Sequence, residues 1–136
     1  MSTEQNKAFM HRFLAASADS DEADFMELMS PEFVAHIPAG SVSREEFLQH
    51  NNLYNVAFSD RQYTVEDLTV DGDKVVARTI WRGTHTGDFQ GLPPTGKQVV
   101  ISAFIMECIQ DGKSVEHWSL FDRMSMMQQL GLVPPP

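Results

Sequence analysis

Apolar residues recur along this chain at two spacings, and the change from one to the other divides it. From Asn6 to Ala18, Phe9, Met10, Phe13 and Leu14 fall at helical intervals, which predicts an amphipathic helix. A short second helix is predicted from Ser20 or Asp21 to Met29, with acids in its first turn and Ser30-Pro31 as its stop. Phe33 to Ile37 reads as a short strand closed by Pro38-Ala39-Gly40. Ser43-Arg44-Glu45-Glu46 is a capping-box pattern that opens a third helix, carried on by Phe47, Leu48, Asn51, Tyr54, Val56 and Phe58. After Ser59-Asp60 the period shortens to two. Tyr63 to Val70 and Lys74 to His85 flank Asp71-Gly72-Asp73, a hairpin signal; Gln98 to Gln110 and Ser114 to Phe121 flank a second, Asp111-Gly112. Gly87 to Lys97, with three glycines and two prolines, is a long loop. Helices first and long antiparallel strands afterwards predict an α+β fold whose sheet curls and leaves a concave face for a pocket.

Composition narrows this further. A chain of 136 residues has the length of one domain, 1–136, with a single core. Nineteen acidic against 10 basic residues give a net charge of −9, and no Lys/Arg cluster interrupts it, so nucleic-acid binding is not expected. No apolar run approaches the roughly 18 residues of a membrane span, and Met1 to Lys7 lacks the pattern of a signal peptide. A cytoplasmic protein is the expectation. Cys108, the only cysteine, reads as a buried, inert thiol. Neither metal-ligand spacing nor a phosphate-binding glycine loop is present, so no cofactor is expected, and acid/base chemistry on an organic substrate is the main enzymatic route left.

The densest chemistry lies in Gly112-Lys113-Ser114-Val115-Glu116-His117-Trp118 and, four residues on, Asp122. Such a strand suits a pocket wall, where a carboxyl is partly desolvated and its pKa rises toward working pH. Alternation puts Trp118, Leu120 and Asp122 on one face and His117 on the other. His117 is therefore expected to support the site from behind. Glu116 shares the Asp122 face but lies roughly 20 Å away along an ideal strand, too far for a carboxylate pair. His36, ending a short strand before a proline turn, is a candidate at the pocket mouth. His85 ends a strand with the same parity as Trp81. Trp81, Trp118 and Phe104 are candidate lining for a flat, hydrophobic small molecule. Each of these side chains is equally at home in an ordinary core.

The same residues carry a family resemblance. Gly112 to Asp122, the segment Trp81-Arg82-Gly83-Thr84-His85-Thr86-Gly87 continuing to Lys97, and the ending Met126-Met127-Gln128-Gln129-Leu130-Gly131 together resemble the SnoaL-like polyketide (ester) cyclases of the NTF2-like superfamily. The resemblance implies a cone-shaped, curved antiparallel sheet with N-terminal helices enclosing a pocket. It implies Asp122 as general acid/base in an intramolecular aldol cyclisation of a polyketide ester. Related isomerases, dehydratases and hydrolases need similar parts, and a non-catalytic binder of small ligands or partners is the reading from a different class. Apolar residues on both faces of the strands, Val76, Ile80, Val100, Ile101 and Ile105 among them, predict a homodimer through the sheet's outer face.

Overall fold

A computed structural model describes residues 2–19 and 21–136. Four helices and six strands follow in the order α1 (Thr3–Ala18), α2 (Glu22–Glu27), β1 (Met29–Ile37), β2 (Gly40–Ser43), α3 (Arg44–Ala57), β3 (Gln62–Asp71), β4 (Lys74–Thr84), β5 (Gln98–Gln110), β6 (Lys113–Phe121) and α4 (Arg123–Gln129). The predicted α+β architecture is present. Local chemistry sets the helix starts. The Ser2 and Ser43 hydroxyls accept the backbone N–H of Gln5 and Glu46, whose side chains reach back to the cap N–H groups. Helix α1 thus starts at Thr3, ahead of the predicted Asn6. Asp21 caps α2, and Ser20, the alternative start, lies outside the described residues. Helix α2 stops at Glu27, and Met29 already belongs to β1.

All six strands form one curved, unclosed sheet in the order β2-β1-β6-β5-β4-β3. The long strands meander antiparallel, but β1 runs parallel to β6, so the sheet is mixed where the sequence predicts antiparallel strands throughout. The β1–β6 register shifts between Met29 and Val34. Pro31, which has no N–H to give a ladder, sits in that irregularity. Two-residue turns join the hairpins. Asp111 and Gly112 both take positive φ, 52° and 76°, and at the β3–β4 turn Gly72 does so at 61°.

The helices cover one face of the sheet. Phe13 and Phe25 from the helices and Phe33 from β1 bury their rings almost completely against it, each contributing about 1.5–3 kcal/mol by removal from water. A second apolar cluster, with Phe58, Trp81, Val99, Met126 and Leu130, closes the other end. The loop after β4 folds onto the end of α3, where Thr86 and Gly87 N–H groups both donate to the Ala57 carbonyl. A Cβ at Gly87 would lie 2.0 Å from the Val56 carbonyl oxygen, so this approach admits no side chain. No helix among the described residues is long and apolar enough to cross a membrane.

Candidate active site

A cavity of about 630 Å³, including the space at its mouth, opens where the two apolar clusters meet. Its walls come from α1, α3 and α4 and from every strand but β2. Odd-numbered residues of β5 and β6 face it: Ile101, Ala103 and Ile105, then His117, Ser119 and Phe121. This reverses the predicted inside and outside of β6. Asp122 is exposed, does not border the cavity, and accepts the Ser125 N–H as the cap of α4. Trp118 lies on the outer face, stacked on His36 with ring centroids 5.2 Å apart. Phe104 also points outward and is 49% exposed. Of the three aromatic residues predicted to line the pocket, Trp81 alone does so.

The histidines separate in the same way. His36 bonds Ser41 Oγ through Nδ1 at 2.8 Å and Glu116 Oε2 through Nε2 at 2.6 Å, on the outer surface. His85 is fully buried beneath the loop that follows β4, its Nδ1 2.9 Å from Thr95 Oγ1 and its ring beside Phe58. It pins that loop and takes no part in the cavity wall. His117 does line the cavity. It was expected behind the site and stands in front.

His117 is paired across the sheet with Glu107 of β5, on the same inward face. Its Nδ1 is bonded to Glu107 Oε2, and the Ser114 hydroxyl donates to Glu107 Oε1 at 2.8 Å. Ser114 and His117 differ in parity, so a regular strand would turn them to opposite faces. The β5–β6 register shifts between Cys108 and Ile109, whose partners are Glu116 and Ser114. Val115 is thus the extra residue of a bulge, which turns both Ser114 and His117 inward. Where Nδ1 carries the ring proton and donates it to Glu107, the imidazole lone pair lies on Nε2. That atom is buried and has no hydrogen-bond partner among the described residues. The rings of Phe47, Phe13 and Phe33 surround the imidazole, with centroids 4.7, 5.7 and 6.1 Å away.

Complete burial pushes the Glu107 pKa above its ordinary 4.5, opposed by the adjacent His117 and the bonds from His117 and Ser114. On α3, His50 also lines the cavity, and burial followed by the cations Arg123 and Arg61 lowers its pKa. Burial raises the Tyr54 phenol. Arg61, just beyond α3, borders the cavity with only 4% exposure. Its Nη2 donates to the Ser17 carbonyl and, at 2.7 Å, to Asn51 Oδ1. No group of three or more metal-ligating side chains lies together among the described residues.

Glu107, Arg61 and His50 were not anticipated as site residues. Glu107 left a signal, a lone carboxylate inside the apolar run Ile105-Met106-Glu107-Cys108-Ile109. Arg61 and His50 left none, since only the tertiary fold buries them.

The raised Glu107 pKa links stability to pH. A carboxyl that holds its proton more tightly folded than unfolded stabilises the fold below about pH 4.5, and that contribution fades as pH rises through the folded pKa. Glu107→Gln cannot ionise. Denaturant unfolding between about pH 5 and 8 should show wild-type stability falling more steeply than that of the variant; parallel profiles would contradict the assignment.

Comparison with known proteins agrees with this fold. No curated protein sequence matches the chain significantly. Among solved structures it is similar to AclR of Streptomyces galilaeus, a proposed hydroxylase, with 28% identity and a TM-score of 0.91 over 99% of this chain and 86% of that one. It is similar to wild-type IdmH of Streptomyces antibioticus, a proposed polyketide cyclase, with 31% identity and a TM-score of 0.84 over 93% of this chain and 99% of that one. A proposed SnoaL-like polyketide cyclase from Jannaschia sp. CCS1 superposes with a TM-score of 0.87 at 26% identity, over 99% and 98% of the two chains. The family model for SnoaL-like polyketide cyclases matches residues 8–130, and the chain belongs to that family.

Proposed function

We propose that the protein is an acid/base enzyme acting on a hydrophobic carbonyl compound, with His117 as the group that moves the proton. The observation that carries this reading is the unpartnered Nε2 of His117 at an apolar cavity, with the buried Glu107 carboxyl behind the same ring. In the aldol cyclisation that the family name suggests, Nε2 takes a proton from the carbon beside a carbonyl. The resulting enolate carbon attacks a second carbonyl of the same molecule and forms the ring C–C bond. The alkoxide so produced recovers the proton from Nε2. Glu107 offsets the positive charge that His117 carries between the two transfers. Apolar walls exclude water, which would otherwise solvate the enolate and blunt these interactions. Every proton in this sequence is held by the chain's own side chains or the substrate, so the proposed reaction calls on no cofactor.

Asp122, the acid/base that the sequence resemblance marks, supplies a clean comparison. Asp122→Asn keeps a good helix cap, and His117→Gln keeps a polar side chain of similar reach. On a polyketide substrate found by screening, His117→Gln should lower kcat by about 10²–10⁴, while Asp122→Asn turns over near the wild-type rate. The reverse ranking would return proton transfer to Asp122. Saturable binding with no turnover by any form would favour the non-catalytic binder.

We also propose a homodimer through the outer face of the sheet. Phe104 and Leu120 are cross-strand partners there, 49% and 70% exposed, with Val34 and Val100 on the same side. Contiguous apolar surface of this kind marks an association site, and two-fold pairing lets one copy cover the other. Equilibrium sedimentation at micromolar concentration should give twice the 15.3 kDa chain mass, and Leu120→Glu should reduce it to the single-chain value. A 15.3 kDa wild-type species would refute the dimer.

A further inference from the structure

Among the described residues, Arg61 is a buried cation without a counter-charge. All the hydrogen bonds of its guanidinium run from Nη2 to neutral acceptors, the Ser17 carbonyl, Ser17 Oγ and Asn51 Oδ1. Its Nε is buried and carries no hydrogen bond among the described residues. No ion pair to Arg61 occurs among the described residues. The ionisable groups that act on it are the phenols of Tyr54 and Tyr63, and its charge in turn reaches the His50 imidazole. Glu107, the carboxyl group behind His117, is already bonded to His117 and Ser114.

A guanidinium removed from water is ordinarily matched by a carboxylate or phosphate, because desolvation without a partner is unfavourable. Acids are not scarce in this chain, which has 19 against 10 bases. One cation nevertheless borders the cavity unpaired, so the cavity is locally positive inside an acidic protein. The missing partner must come from outside the chain. A charge developed only during a reaction would leave Arg61 unmatched in the resting complex, whereas a fixed anion on the ligand matches it throughout. The guanidinium fork is also suited to a planar carboxylate.

We propose that Arg61 is the receptor for a carboxylate on the ligand, so that the cavity takes a hydrophobic carboxylic acid in preference to the matching neutral ester. This rests on the cavity being the substrate site and is independent of which residue moves the proton. Trp81 lines the cavity and reports occupancy by its fluorescence. 2-Naphthoic acid and its methyl ester serve as unreactive probes of nearly equal size, titrated at neutral pH and read by that fluorescence and by calorimetry. The acid should bind wild type at least about tenfold tighter than the ester, as expected for a charge-assisted pair. Arg61→Met should erase the difference, and Arg61→Lys should restore part of it. His117→Gln should keep it, which separates this proposal from the assignment of the base. Equal binding of acid and ester to wild type would overturn the proposal, as would absence of saturable acid binding or a preference that survives in Arg61→Met. Should Arg61→Met not fold, the wild-type acid-to-ester ratio and its value in Arg61→Lys still decide.

Discussion

The hydrogen bond between the Glu107 carboxyl and His117 Nδ1 is the interaction on which the interior of this protein turns. A carboxyl group taken wholly out of water is costly, by several kcal/mol if it is ionised and unmatched. Here the cost is offset within the sheet. The cross-strand register places His117 opposite, and a bulge at Val115 turns the Ser114 hydroxyl to the same face. Neither partner suffices alone, because the carboxyl has two oxygens to satisfy. Removing the bulge would turn Ser114 or His117 outward and leave an oxygen of Glu107 without its donor. The aromatic rings of Phe13, Phe33 and Phe47 then enclose the imidazole, which borders the cavity.

The rest of the fold serves that arrangement. Long hairpins curl the sheet so that β5 and β6 present a concave face, and α1 and α3 roof it. Asn51 of α3 and Ser17 of α1 bond each other as well as Arg61, which ties the two helices together at the cavity wall. The His85–Thr95 contact holds the loop after β4 against the far end. A site built this way has little freedom to relax: its polar groups are fixed by strands and helix faces, and its apolar walls keep their interactions strong.

Much of the fold was legible in the sequence because local signals specify it. The capping box at Ser43 and the Asp111-Gly112 turn act within a few residues, whatever the rest of the chain does. The short strand β2, the helix α4 and the parallel β1–β6 pairing were not foreseen, since tertiary contacts decide all three. The site was legible in part. Alternation along β6 correctly set His117 apart from Trp118, Leu120 and Asp122, but it could not say which set faces inward. Apolar bulk favoured the wrong set, because Trp118 and Leu120 lie on a sheet face that is itself apolar. Ser119 and His117 face the cavity because a binding site needs polar groups where a core would not. Arg61 gave no warning, as an arginine after a helix is ordinary until the fold buries it.

Histidine-selective ¹⁵N NMR tests the central claim most directly, because it reports which ring nitrogen of His117 carries the proton. With Glu107 holding Nδ1–H, the His117 signals, assigned by their loss in His117→Gln, should show a protonated Nδ1 and a bare Nε2 in the neutral ring. A neutral ring protonated at Nε2 would mean that Nδ1 is the acceptor and that no base faces the cavity, which contradicts the account.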